Sequence, residues 1–218
     1  MTELEKLMEM TVFERELYET GVKFVAGVDE VGRGPLAGDV YAAAVILPAD
    51  VGILGINDSK KLTVKKREIL YEQIKEHAIS IGVGIADVAE IDEHNILGAT
   101  KIAMLRAIEN LKLMPEHLLI DALNLDVEIA QTKIIKGDTL SVSIAAASIV
   151  AKVERDRYMK TLAKEYSYYG FETNSGYGTK AHLAGIDKHG YIEGVHRLSF
   201  EPVKSIITKN NGEIRCLK

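Results

Sequence analysis

Residues 25–38 read Val-Ala-Gly-Val-Asp-Glu-Val-Gly-Arg-Gly-Pro-Leu-Ala-Gly. A short apolar run passes into two adjacent carboxylates, Asp29 and Glu30, and then into a glycine loop carrying a single arginine, Arg33. Carboxylates at a strand end suit a hard divalent cation, which takes oxygen ligands. Glycines beside them let backbone N–H groups approach a phosphate or a sugar closely. Metal next to phosphate is the chemistry of phosphoryl transfer. Neighbouring residues on a regular strand face opposite sides. Asp29 and Glu30 therefore share one site only where the strand twists or ends, and the loop opening at Gly32 supplies such an end.

The flanking sequence builds an α/β pattern around this segment. Residues 3–20 read as an exposed, acidic amphipathic helix stopped by Gly21. Val22–Val28 is a short strand. Asp39–Leu47 is apolar and closed by Pro48, and its periodicity does not separate strand from helix. Thr63–His77 is a helix with Thr63 as its N-cap, and Ile79–Ile85 alternates with period two as a strand does. A helix over Ile96–Leu111 places Ala103, Met104, Ala107, Ile108 and Leu111 on one face. Leu118–Asp121 and Thr132–Lys136 are further strands, and a long helix spans Ser141–Glu165. Ser167–Gly178, rich in Gly, Tyr, Ser and Asn, reads as an ordered loop. Thr179 then caps a helix ending at Gly190. Strands alternating with helices give an α/β domain on one mixed sheet.

Three of these strands run into acids: Asp29 with Glu30, Asp121, and Asp138 just past Lys136-Gly137. Strand ends along one sheet edge converge, so acids far apart in the chain meet there. Four carboxylates in one pocket repel each other unless cations neutralise them. His182, His189 and His196 fit no compact metal site by their spacing and read as surface or backbone-contacting residues.

Bulk properties bound the function. A chain of 218 residues with 47% hydrophobic and 27% charged residues is an ordinary globular protein. It carries no run long enough to cross a bilayer, since Ile144–Ala151 is far too short, and no signal-peptide layout. One cysteine, Cys216, leaves no intrachain disulfide and points to a reducing, cytoplasmic compartment. The net charge of −5 argues against nucleic-acid binding, but the charge is uneven. Residues 133–218 hold 14 Lys/Arg against 9 Asp/Glu, which leaves −10 on the remainder. A basic C-terminal half suits a backbone-binding groove.

The segment from Val25 to Gly38 resembles the first signature of ribonuclease HII, the type 2 ribonucleases H. The resemblance continues through Asn57-Asp58-Ser59-Lys60-Lys61-Leu62, Leu119-Ile120-Asp121 and Lys136-Gly137-Asp138. It resumes at Ala145–Lys152 with Arg155-Asp156-Arg157, at Gly176-Tyr177-Gly178-Thr179-Lys180 and at His196-Arg197-Leu198-Ser199-Phe200. These collinear blocks cover roughly residues 22–204. The resemblance implies a ribonuclease-H-like fold, a mixed central β-sheet flanked by helices with a small helical C-terminal appendage. Residues 1–21 are then an N-terminal helical extension, 22–204 the catalytic domain and 205–218 a tail.

It also implies a monomeric metal-dependent endonuclease that cuts the RNA strand of RNA–DNA hybrids. Such an enzyme nicks DNA duplexes 5′ of single ribonucleotides, leaving 3′-hydroxyl and 5′-phosphate ends. Asp29, Glu30, Asp121 and Asp138 would be catalytic and hold two Mn²⁺ or Mg²⁺ ions. Gly32-Arg33-Gly34 would read the RNA 2′-hydroxyl, the group that separates RNA from DNA, and Tyr177 would stack on the following sugar. Lys60, Ser148, Lys152, Thr179, Lys180 and Arg197 would contact phosphates, which position a duplex without reading its sequence. Two positions depart from the family pattern: Asp39 stands where proline is usual, and Ala122 where glycine is usual.

Two other readings are weaker. Gly32-x-Gly34-x-x-x-Gly38 follows a strand as a dinucleotide-binding loop does, but it is one residue too long and no Gly-Lys-Ser/Thr is present. A non-catalytic nucleic-acid-binding module of the same fold is the other, and the retention of all four acids argues against it.

Overall fold

The computed structural model describes residues 2–209 and 216–217. They form two compact units: Met1–Val31, Tyr41–Ile85 and Lys101–Val153 in the first, and Gly32–Val40, Ala86–Thr100 and Glu154–Lys218 in the second.

The first unit opens with α1 (Glu3–Met10) and α2 (Val12–Glu19), where one continuous helix was expected. A capping box starts α1, with Glu5 N–H donating to Thr2 Oγ1 and Thr2 N–H to the Glu5 carboxylate. Thr11 ends it: the Thr11 hydroxyl and the Arg15 guanidinium both donate to the Met8 carbonyl, which α1 leaves without a helical donor. This extension is not exposed throughout, because Leu7, Met10 and Glu14 are buried. Glu14 accepts from the Ser141 hydroxyl at 2.6 Å and from Ser143 N–H at 3.0 Å.

The central sheet has the order β3-β2-β1-β4-β5, with β1 at Val25–Val31, β2 at Val40–Ile46, β3 at Ser80–Ala86, β4 at His117–Asp121 and β5 at Ala130–Ile134. β1 runs antiparallel to β2 and parallel to β4, and β4 parallel to β5, so the sheet is mixed as expected. The ambiguous segment after the glycine loop is β2; all seven of its residues are buried, which explains why no alternation was visible. Between β2 and β3 lies α3 (Val64–His77), capped by Thr63 Oγ1, which accepts from Lys66 N–H. α4 (Val88–Glu109) follows β3 and is interrupted at Asn95 (φ 60°), whose side-chain oxygen caps the second half through Leu97 and Gly98 N–H.

After β5 comes the single turn α5 (Gly137–Leu140), then α6 (Val142–Glu165). The face of β2 carrying Ala43, Val45 and Leu47 packs with α3 and α6 in one core. On β1 the same face presents Gly27 to the start of α6. A Cβ at Gly27 would lie 2.0 Å from the Ser143 carbonyl carbon, so only glycine fits there. On the other face, β3 receives the backbone of α4 at Ala103 and Ala107.

The second unit contains the rest of α6, a 3₁₀ turn at Ser167–Tyr169, α7 (Phe171–Asn174), α8 (Lys180–His189), β6 (Tyr191–Ile192), α9 (Val203–Lys209) and β7 (Cys216–Leu217). Residues 167–178 thus contain two helical turns within the expected loop. Thr179 Oγ1 accepts from His182 N–H and caps α8. β6 pairs with β7 in parallel; residues 210–215 and 218 of the expected tail lie outside the described residues. Among the described residues no helix is long and apolar enough to cross a membrane.

The core of the second unit joins Leu36, Met159, Tyr169, Phe171, Ile186 and Val195. Two histidines are embedded beside it. His182 and His196, expected as surface or backbone-contacting residues, are both 0% exposed and hydrogen-bond to each other through Nε2 at 3.1 Å. His189 instead stacks on Tyr168.

Burial penalises both imidazolium forms and lowers both pKa values, that of His196 to about 3 with repulsion from His182 added. The unfolded chain takes up these protons near pH 6.5 while the folded chain does not. The pair's contribution to stability is therefore complete above pH 6.5. It is lost as pH falls below 6.5, for His196 down to about pH 3 and by up to about 1.4 kcal/mol per pH unit. An NMR titration of the histidine side chains should find the His196 imidazole still neutral at pH 5 and that of His182 titrating below the ordinary histidine value; normal titration of every ring near pH 6.5 would contradict this packing.

Candidate active site

Sheet register brings the first two acids together. Gly27 pairs with Leu119 and Val28 with Ile120; with a side-chain period of two, Asp29 and Asp121 fall on the face shared with Gly27. That is the α6 face, and Ser148 of α6 hydrogen-bonds to Asp29 there. Asp29 is 4% exposed and also accepts from Glu30 N–H at 2.8 Å. Its carboxyl is held well above the ordinary aspartate range by burial first, then by the charges of Glu30 and Asp121. Glu30 is half-buried at the strand's end.

Asp121 closes β4 opposite Ile134 of β5, and its Oδ1 accepts from Gly137 N–H at 2.7 Å. This bond ties the end of β4 to α5, whose first turn carries Asp138. Asp138 is buried, and its pKa is raised by burial, then by Asp58 and Asp121. Ala122 has φ 51°, the left-handed region that glycine occupies without strain. The departure from the family pattern leaves the bend in place at a cost of about 1 kcal/mol.

Lys60 faces these acids. Burial works against its ammonium, yet Asp29, Asp58, Asp138 and Glu30 outweigh that penalty and raise its pKa above the ordinary lysine value. The 3₁₀ turn Ser59–Lys61 that carries it is capped by Asp58, which accepts from Lys60 N–H at 2.9 Å, and is gripped by Arg67, which donates to the Ser59 carbonyl at 2.6 Å. Asp58 was not singled out from the sequence, although it stands two residues before Lys60 in the Asn57–Leu62 block. Ser148 is buried between Asp29 and Ser59, whose hydroxyl lies 2.9 Å away. Lys152, one turn further along α6, is half-buried.

The donor set is hard oxygen with net negative charge around a single lysine, which fits divalent cations. Among the described residues no three His, Cys, Asp or Glu side chains are gathered as a finished cation cage; the acids are linked through their fields.

The glycine loop belongs to the second unit. Arg197, expected at a phosphate, is 0% exposed and holds the loop instead. Its guanidinium donates to the carbonyls of Gly32 (2.6 Å), Arg33 (3.0 Å) and Gly38 (2.6 and 2.9 Å). Arg155, 1% exposed, donates to Ala37, Asp39 and Ser175 carbonyls. Burial and the nearby Arg155 lower the pKa of Arg197 to about 9, against the pull of Asp39 and Asp92, so it stays cationic at neutral pH. The carboxyl of Asp39, the second departure, is raised to about 6 by burial, with Asp87 adding to it and Tyr158 opposing.

A trans peptide points its N–H opposite to its C=O. With the Gly32 and Arg33 carbonyls turned onto Arg197, the N–H groups of Arg33 and Gly34 face the other way. The Tyr177 ring lies beside Gly34, where an added Cβ would be 3.3 Å from it, and is half-exposed. Thr179 is occupied as the cap of α8, and Lys180 is exposed at that helix's first position.

The fold recurs among solved structures. The crystal structure of ribonuclease H2 from Pyrococcus horikoshii superposes with a TM-score of 0.71 and 25% identity, over 86% of this chain and 99% of that one. The ribonuclease HII of Archaeoglobus fulgidus, solved in complex with PCNA, gives 0.68 and 27%, over 82% and 95%. These likenesses, with acids at the ends of β1 and β4, define an endoribonuclease of the ribonuclease H class. The family model described as ribonuclease HII matches residues 26–203, and the ribonuclease HII of Bacillus mycoides is 59% identical over 207 residues, 95% of this chain and 80% of that protein. The chain belongs to the ribonuclease HII family.

Asp29 and Asp138 carry raised pKa values, so their charged forms cost stability at neutral pH, and the strain is relieved as pH falls through the folded-state pKa. Asp29→Asn and Asp138→Asn should abolish cleavage yet melt no lower than the parent in chelator, with a gain on the order of 1 kcal/mol. A variant that unfolds or still cleaves would remove that residue from the catalytic set.

Proposed function

We propose that the protein hydrolyses the RNA strand of RNA–DNA hybrids and nicks duplex DNA on the 5′ side of a single embedded ribonucleotide, leaving 3′-hydroxyl and 5′-phosphate ends. The observation that carries the reading is the loop held by Arg197. With the Gly32 and Arg33 carbonyls turned onto the buried guanidinium, the Arg33 and Gly34 N–H groups point to the opposite side, with the Tyr177 ring alongside Gly34. A pair of backbone donors suits a 2′-hydroxyl, and a half-exposed ring suits a sugar face. The loop begins two residues after Glu30, so the recognition and acid segments are consecutive in the chain.

Asp29, Glu30, Asp121 and Asp138 would hold the divalent ions, Mn²⁺ or Mg²⁺. Bound there, such ions supply water activation and neutralise charge developing on phosphate oxygens. The chain's own groups do the rest: Lys60 balances the acids, Ser148 orients Asp29, and Gly137 N–H orients Asp121. Exposed Lys180 and half-buried Lys152 are assigned to the duplex backbone. The protein is taken to act as a monomer.

A DNA duplex with one ribonucleotide should be nicked 5′ of it in Mn²⁺ or Mg²⁺ and left intact in chelator. Cleavage of hybrids with no action on the single ribonucleotide would contradict junction reading. Tyr177→Ala should lower single-ribonucleotide cleavage more than duplex binding.

Binding should weaken steeply with salt through counterion release. Lys180→Ala and Lys152→Ala should each flatten the log–log salt slope by about 1; unchanged slopes in both would place the backbone groove elsewhere.

A further inference from the structure

Two buried histidines remain outside the chemistry just described, yet they end on the residues proposed to read the substrate. Ile192 N–H donates to His196 Nδ1 at 2.9 Å, so that nitrogen is an acceptor and the ring proton sits on Nε2. That proton points to His182 Nε2, 3.1 Å away, which must therefore accept. The proton of His182 is then on Nδ1, and it meets the Tyr177 carbonyl at 3.0 Å. One peptide donor at one end and one carbonyl at the other fix both tautomers, with two neutral rings between. Tyr169 and Phe171 pack edge-on against the pair, and both imidazoles are fully buried.

Both ends of this relay are tied to the recognition elements. Tyr177 is held on its amide side by the Asn174 carbonyl, and its own carbonyl also accepts from Thr179 N–H. His196 forms a β-bridge with Ala37 and precedes Arg197, whose N–H donates to the Leu36 carbonyl and whose guanidinium grips the Gly32 and Arg33 carbonyls. The imidazole pair thus connects the backbone of Tyr177 to the strap that holds Gly32-Arg33-Gly34.

We infer that His182 and His196 are positioning residues for ribonucleotide discrimination: they set the register between the Tyr177 ring and the Gly32–Gly34 loop. This rests on the reading that Tyr177 and the loop recognise the substrate. The pair reaches the recognition elements through the Tyr177 carbonyl, so it acts through Tyr177 on selectivity rather than on the chemical step.

The test compares kcat/KM on a duplex with one embedded ribonucleotide with that on a continuous RNA–DNA hybrid. His182→Asn places an amide donor where Nδ1–H stands, whereas His182→Gln carries its polar group toward His196 and abandons the Tyr177 carbonyl. Each breaks the relay at one end, so the inference predicts a ratio lowered about tenfold in both, the value of one buried hydrogen bond. A merely structural role lowers cleavage of both substrates alike, and a parental ratio in either variant would overturn the inference. Tyr177→Ala separates the two levels: if it leaves the ratio unchanged, the reading of Tyr177 fails; if it lowers the ratio and His182→Gln does not, only the present inference fails. Should neither His182 variant fold, nitrogen NMR of the parent protein decides. The inference requires the proton on Nε2 in His196 and on Nδ1 in His182, and the opposite tautomers would overturn it.

Discussion

A carboxylate at 4% exposure with two more acids in its field is the feature around which the first unit is arranged. Asp29 has little exposure to solvent, and its charge is opposed by burial and by its neighbours. The fold gives it what compensation a protein has: a hydroxyl from Ser148, the N–H of Glu30, and the ammonium of Lys60. Each depends on another element being in place. Ser148 requires α6 to lie against β1, which requires Gly27. Lys60 requires the 3₁₀ turn braced by Arg67. Asp121 requires parallel pairing of β1 with β4. A site so poorly suited to stability is expected where negative charge serves a ligand.

The second unit solves a matching problem with cations. Arg155 and Arg197 are buried, and backbone carbonyls of the glycine loop and of Ser175 take up their N–H groups. A buried guanidinium must satisfy its fork of donors, so the loop is shaped by arginine as much as by glycine. The consequence is functional: carbonyls turned inward leave N–H groups turned outward.

The legible parts of the chain were those set by local rules. Thr63 and Thr179 announce helix starts, and both cap as expected. The alternation of Ile79–Ile85 is a strand half covered on one side. Acids at strand ends declare themselves because strands and loops alternate. What escaped notice depends on partners distant in the chain. Arg197 looks like any basic residue until it is seen to reach back to Gly32. The histidines are buried because Tyr169 and Phe171 enclose them, which no spacing records. Asp58 stands two residues before the pair Lys60-Lys61, which suggests a solvated turn, yet it lies close enough to raise the pKa of Asp138. The break at Thr11 hides within an acidic amphipathic pattern that continues across it.

The central claim is that the acids around Asp29 form a divalent-cation site. Calorimetric titration of Mn²⁺ into the parent protein, Asp29→Asn and Tyr177→Ala tests it without recourse to cleavage. The account predicts saturable binding to the parent and to Tyr177→Ala, and binding weakened tenfold or more in Asp29→Asn, on the order expected for losing a charged oxygen ligand. Equal affinity in the parent and Asp29→Asn would contradict it.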